Sequence, residues 1–166
     1  KGWKYAWTSS KTKVATVNKS NGLVTAKAAG TTTVSVVIKD SKGKKLYTLK
    51  ATVTVRDNIK TLAISNAPTA PINAGEAYDF NRSYTTVAGK TTGTGSKTYW
   101  FITDKDGKAT EGATIDKSGV FTATVPGDYK VTAKAFQSNT KAKAYLADPE
   151  ANAKFVLATA AVDVKV

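Results

Sequence analysis

The sequence predicts an all-β protein built as two β-sandwich units in series, and three observations predict it. Apolar residues recur with period two, turn-forming residues separate those runs, and the stretch Thr16–Ala26 returns in altered form at Thr114–Ala123. Composition agrees. Val and Thr are stiff at the first side-chain torsion and pack well on a pleated surface, and both are abundant here.

The alternating runs follow in chain order. Trp3, Tyr5 and Trp7 fall on one side of an extended segment, with Lys4 and Ala6 on the other. Val34, Val36 and Ile38 alternate with Ser35 and Val37. Leu49, Ala51, Val53 and Val55 alternate with Lys50, Thr52 and Thr54. Val162, Val164 and Val166 alternate with Asp163 and Lys165 at the end. Between the runs stand Asn21-Gly22, Ala29-Gly30, Ser41-Lys42-Gly43, Asp106-Gly107, Ser118-Gly119 and Pro126-Gly127, all turn signals. No segment shows a capped helical stripe. The best helical candidate is Asp148–Ala153, where Pro149 follows a capping Asp, and it is read as at most one short turn. Short strands at this spacing argue for a sandwich.

The repeat divides the chain. Gly22 and Gly119 are 97 residues apart, as are Gly30 and Gly127, and Trp7 has a counterpart in Trp100. Each copy supplies a tryptophan strand, a hairpin, a glycine corner and a long strand. The expected boundary is at Arg56-Asp57-Asn58, giving domains 1–57 and 58–166.

At Trp7-Thr8-Ser9-Ser10, Val14-Ala15-Thr16-Val17, Gly22-Leu23-Val24-Thr25-Ala26 and Gly30-Thr31-Thr32-Thr33-Val34, the chain resembles the group 2 bacterial immunoglobulin-like domain. The match is strong over residues 5–38 and extends to Val55. The second copy is divergent, with Ile115 in place of a Val and Pro126 ahead of the corner. The resemblance implies two tandem immunoglobulin-like β-sandwiches in an extracellular setting: a surface-layer protein, an adhesin, a wall-attached enzyme or a virion. It transfers no catalytic residue, because the motif consists of packing and turn positions. It also implies strands ahead of the tryptophan strand, which the first copy lacks. A truncated boundary is the simplest account. Strand addition by another chain, or Lys1–Trp7 taking a neighbouring strand's role, are the alternatives.

Several chemistries are disfavoured by composition. The chain has no Cys and no His, which removes thiol chemistry and the usual general base and metal ligand. Its twelve acids form no spaced pair suited to glycoside hydrolysis. No catalytic residue, metal or cofactor is expected. Asp104-Lys105-Asp106-Gly107, with Glu111 nearby, has only part of a calcium loop's ligand register and is read as a plain turn. No apolar run approaches the roughly 20 residues that span a bilayer. The absence of Met marks the chain as an internal fragment or a processed product.

The formal net charge is +13. Residues 1–56 hold eleven Lys and one Arg against a single acid, Asp40, whereas residues 57–166 hold thirteen cations against eleven acids. Such a block attracts polyanions by screened, long-range forces. Lys39, Lys42, Lys44, Lys45 and Lys50 span a predicted hairpin and are the candidate contacts for an anionic wall polymer or glycan. The block has no nucleic-acid reading motif and no interleaved aromatics, so specific nucleic-acid binding is not expected. Trp3, Tyr5 and Tyr99 are candidates for stacking on sugars, while Trp7 and Trp100 are read as core. These features predict a non-catalytic spacer or adhesive module whose neighbours are other domains or subunits. A carbohydrate- or receptor-binding module, and a virion protein completed by strand exchange, are the alternatives.

Overall fold

The computed structural model describes residues 2–166, and the chain divides into two compact units, Lys1–Asp57 and Asn58–Val166. Strands in small antiparallel sheets dominate both, and unit 2 adds one short helix.

Unit 1 contains β1 (Lys4–Ser9), β2 (Ala15–Val17), β3 (Val24–Ala26), β4 (Gly30–Lys39) and β5 (Lys45–Val55). The first sheet runs β1-β4-β5 and the second is the hairpin β2-β3, all antiparallel. Trp7 stands opposite Val36, and Val36 opposite Leu49. Directly opposed residues share a face, so Tyr5, Trp7, Val34, Val36, Ile38, Tyr47 and Leu49 line one side of this sheet. One end of that side is closed. Thr32 is buried, and its hydroxyl oxygen accepts the Lys11 backbone N–H at 2.9 Å beside Ser9 Oγ and Ser10 Oγ. Val34, Val36 and Ala15 are buried too.

Unit 2 contains β6 (Ile59–Ile64), β7 (Ala77–Asp79), β8 (Arg82–Thr86), β9 (Lys97–Asp104), β10 (Ala113–Ile115), β11 (Val120–Ala123), β12 (Asp128–Phe136), helix α1 (Asn139–Ala147) and β13 (Val156–Lys165). Its sheets are β13-β12-β9, β10-β11-β7 and the pair β6-β8. Trp100 stands opposite Ala133, 97 residues beyond Val36, so the strand register repeats along with the sequence. The unit's core is Ile72, Phe80, Trp100, Phe121, Tyr129, Val131, Ala133 and Val164, with Leu62 and Ile64 of β6 packed against it. Phe80 and Phe121 meet edge-on at 6.0 Å.

One expectation is corrected here: a capped helix, α1, stands where the sequence shows none. Asp148 ends that helix, its backbone N–H reaching Ala144 O, and it also caps the short turn expected after it, its Oδ1 accepting the Ala151 N–H at 3.0 Å and its carbonyl the Asn152 N–H at 3.2 Å. The helix begins after Ser138, whose side chain accepts from the Lys141 N–H, and a short 3-10 turn follows only at Ala153–Phe155. The sequence conceals α1 because its buried side is just Ala142 and Tyr145, and its ends carry no charge complementing the helix dipole. Lys1 lies outside the described residues, and β1 pairs with β4 as the tryptophan strand of the repeat.

Candidate functional site

The lysine cluster is assembled by the β4–β5 hairpin. Asp40 shapes the turn: its backbone N–H donates to Lys44 O, and its Oδ1 accepts the Lys44 N–H at 2.8 Å. A bulge after Ile38 leaves Leu46 without an opposite residue and sets Lys39 directly across from Lys45. On its other side Lys39 faces Lys4. Three ammonium-bearing residues therefore form one row across three strands, each step about 4.8 Å. Lys42 and Lys44 extend the row over the exposed tip. Lys50, opposite Ser35, stands apart, about 13 Å farther along at roughly 3.3 Å per residue.

Asp40, in the turn between Lys39 and Lys44, is the one acid of residues 1–56, and among the described residues these lysines form no ion pair with it. Among the described residues the ion pairs are Lys105–Asp106 and Lys130–Asp163, both in unit 2. Like charges held directly opposite one another in a sheet repel, so an external anion would relieve the cluster. Lys4 was missing from the sequence candidates. Counting back from the Trp7–Val36 pairing would have placed it beside Lys39.

The stacking candidates separate. Trp3 is 60% exposed and Tyr5 51% exposed, whereas Trp7 is half-buried over Gly22. In unit 2, Trp100 enters the core, while Tyr99 and Phe101 point to the opposite side of the β9-β12-β13 sheet. There α1 covers them, and Phe136, Ala142 and Tyr145 complete a second, smaller core. The ammonium of Lys134 donates to the Tyr145 hydroxyl and lies over the rings of Tyr145 and Phe101, at 4.7 and 5.3 Å from their centroids. Tyr99 is half-buried, edge-on to Phe136, and donates to Asn139 Oδ1 at 3.5 Å. Beside it a groove of about 410 Å³ is bordered by Lys97, Tyr99, Asp116, Lys117 and Asn139.

Asp116 is committed to its own turn. Its Oδ1 accepts the Ser118 hydroxyl and the N–H groups of Ser118, Gly119 and Val120. These bonds, that of the Ser118 hydroxyl foremost, hold its pKa down to about 2. Asp104 likewise folds back, Oδ1 accepting the N–H groups of Asp106 and Lys108, and Asp106 pairs with Lys105. That is the geometry of a turn, and its carboxylates do not converge.

Residues 3–49 match the family model of the bacterial Ig-like domain (group 2). That Ig-like match spans β1 to β4 and the first half of β5. No curated protein sequence matches the chain. Among solved structures, a crystal structure of the S-layer protein rSbsC is similar with TM-score 0.42 and 19% identity, covering 98% of this chain and 20% of that one. A fragment holding SbsC domains 4 and 5 gives TM-score 0.41 and 19% identity, covering 98% of this chain and 70% of that one. The chain thus spans a fifth of the length of the first of these structures.

Proposed function

We propose that this chain is a non-catalytic structural module of a bacterial cell-surface protein, and that its first unit holds an anionic polymer through the β4–β5 hairpin. The observation that carries the reading is the row Lys4–Lys39–Lys45, extended by Lys42 and Lys44, five cations against the single acid Asp40. The bacterial Ig-like match over residues 3–49 supports the surface setting. A flat row of ammonium groups suits a flexible polyanion such as a wall phosphodiester, which needs charge and little shape. Attraction of this kind weakens steeply with salt.

The test is retention of the chain on immobilised phosphodiester polymer against a salt gradient. Lys39→Gln and Lys45→Gln, each made singly, are expected to shift elution to clearly lower salt, while Lys50→Gln, which removes the same single charge, shifts it less. Equal shifts from all three lysines would mean that net charge matters and the row does not. Unchanged elution would sink the reading.

The groove beside Tyr99 favours a second reading, a saccharide-binding module. Its aromatic ring, amide, two lysines and the Asp116 carboxylate offer a stacking face with both donors and acceptors, which suits a saccharide. Glycan binding that survives high salt and is lost in Tyr99→Ala, while Lys39→Gln leaves it intact, would replace the first reading with this one.

A further inference from the structure

We propose that Asn21-Gly22 is a site of spontaneous covalent modification: the Gly22 nitrogen attacks the Asn21 side chain, and the β2–β3 hairpin sets the rate.

The reaction needs only the chain and water. The backbone nitrogen of Gly22 bonds to Asn21 Cγ and closes a cyclic imide. The side-chain nitrogen of Asn21 leaves as ammonia, taking the proton that the Gly22 nitrogen gives up. One water then opens the ring at either carbonyl. The first product is aspartate at position 21. The second is isoaspartate, in which the main chain runs through the former side chain and is one methylene longer. Asn21-Gly22 is the one Asn-Gly pair in the chain, and Asn21 is exposed. Glycine favours the attack because no Cβ shields its nitrogen.

The two units show how the fold creates this pair. Val17 stands opposite Val24 in unit 1 and Ile115 opposite Phe121 in unit 2, so the turn of unit 1 is one residue longer. In the shorter turn a single carboxylate oxygen, Asp116 Oδ1, accepts the N–H groups of Ser118, Gly119 and Val120. In the longer one Asn18 Oδ1 accepts those of Ser20 and Asn21. Asn21 Oδ1 takes the Leu23 N–H, the counterpart of Val120's, at 3.0 Å. Position 22 keeps its glycine because a Cβ there would meet the Trp7 ring at 2.7 Å. The longer turn and the Trp7 contact together set a side-chain amide directly ahead of an unshielded nitrogen. Unit 2 has Ser118 at that place and escapes the reaction.

The hairpin also restrains the attack. Gly22 N–H donates to Asn18 O at 3.0 Å, which holds the proton that must leave, and the Leu23 bond fixes the Asn21 amide. Conversion therefore waits for the turn to open, a local event. The two products then differ in effect. Aspartate keeps the oxygen that accepts Leu23 N–H and adds a second acid to residues 1–56, which hold twelve cations and one acid. Isoaspartate lengthens the main chain beside Gly22, displaces it from Trp7 and loosens unit 1.

The experiment ages the 166-residue chain in mildly alkaline buffer beside a peptide of residues 16–25. Peptide mapping and labelling by an isoaspartyl methyltransferase read the products. Among the chain's asparagines, Asn21 is expected to convert first. The folded chain should convert at least about tenfold more slowly than the peptide, and denaturant that unfolds unit 1 should remove the difference. The isoaspartate form should unfold at lower denaturant than the parent chain. Asn21→Asp, which reproduces the other product, should keep its amide protection across β2 and β3. Faster conversion at another asparagine of the folded chain, or none at Asn21 in denaturant, overturns the proposal. So does conversion of the folded chain at the peptide's rate or faster, because the hairpin would then restrain nothing.

Discussion

Gly22 lies flat against the indole of Trp7: a Cβ at this position would come within 2.7 Å of the ring atoms Cε2 and Cζ2. The backbone there has φ +74°, a conformation that favours glycine. The relationship repeats at Gly119 (φ +106°), where a Cβ would sit 3.0 Å from Trp100 Cε2 and 2.5 Å from the carbonyl oxygen of Phe80. The two sites differ in what can yield. Trp7 is half-buried and can tilt outward, whereas Phe80 O belongs to a sealed core. Gly22→Ala is expected to cost unit 1 about 1–3 kcal/mol, and Gly119→Ala is expected to cost unit 2 more. Denaturant unfolding of each variant, followed by probes in both units, measures the order. Equal penalties would show that Trp100 and Phe80 move as freely as Trp7.

The hairpin turns should respond differently to acid. Asp116 in unit 2 and Asn18 in unit 1 occupy the same place, each with Oδ1 accepting backbone N–H groups two and three residues on. The pKa of Asp116 is lowered to about 2, so its bonds favour the charged form. The stability they add is present above the unfolded-state pKa and is lost as pH falls through about 2. Asp116→Ala is therefore expected to destabilise unit 2 near neutral pH, with the difference from the parent chain shrinking between about pH 4 and pH 2. Asn18→Ala should carry the same penalty throughout. Thermal unfolding at a series of pH values checks both.

Tyr145 anchors α1 through the second core, packing on Phe101 and Phe136 with ring centroids at 6.0 and 5.2 Å. Truncating a buried aromatic side chain costs about 3–5 kcal/mol where the site cannot collapse. Tyr145→Ala is expected to free the helix before the sheet beneath it. Amide exchange across Asn139–Ala147 should accelerate, while Val131 and Ala133, on the other side of β12, stay protected. Uniform acceleration across unit 2 would mean that the two cores unfold as one.

The lysine row should weaken the fold that carries it. Like charges directly opposite in a sheet destabilise by roughly 0.2–1 kcal/mol per pair. Lys39→Gln is expected to raise the stability of unit 1 at low ionic strength, because it removes repulsion from both Lys4 and Lys45. The gain should vanish in high salt. Unfolding midpoints at two salt concentrations decide it, and a gain that survives high salt would place its origin elsewhere.

Thr32 offers a test of the closed end of unit 1. Its hydroxyl oxygen takes the Lys11 N–H, with the hydroxyls of Ser9 and Ser10 at 3.0 and 3.2 Å. Thr32→Val keeps the shape and strands that N–H, for an expected loss of about 1–3 kcal/mol. Loss of stability without loss of the β1–β4 pairing, read by NMR, would bear this out.

What the sequence by itself determined was the set of strands and their inward sides. Trp7, Val36, Trp100 and Val131 could be placed because period-two alternation is local, and one face of each strand must leave water. The pairing register came from the structure: Trp7 and Trp100 are 93 residues apart while Val36 and Ala133 are 97 apart, so the repeat spacing alone does not set which residue faces each tryptophan. Helix α1 was not legible, because two buried residues make no stripe and its stability comes from docking on Tyr99, Phe101 and Phe136. The meeting of Lys4, Lys39 and Lys45 was likewise decided only in three dimensions. A bulge one residue long chose which lysine stands opposite Lys39, and such a choice depends on hairpin geometry that no run of apolar residues records.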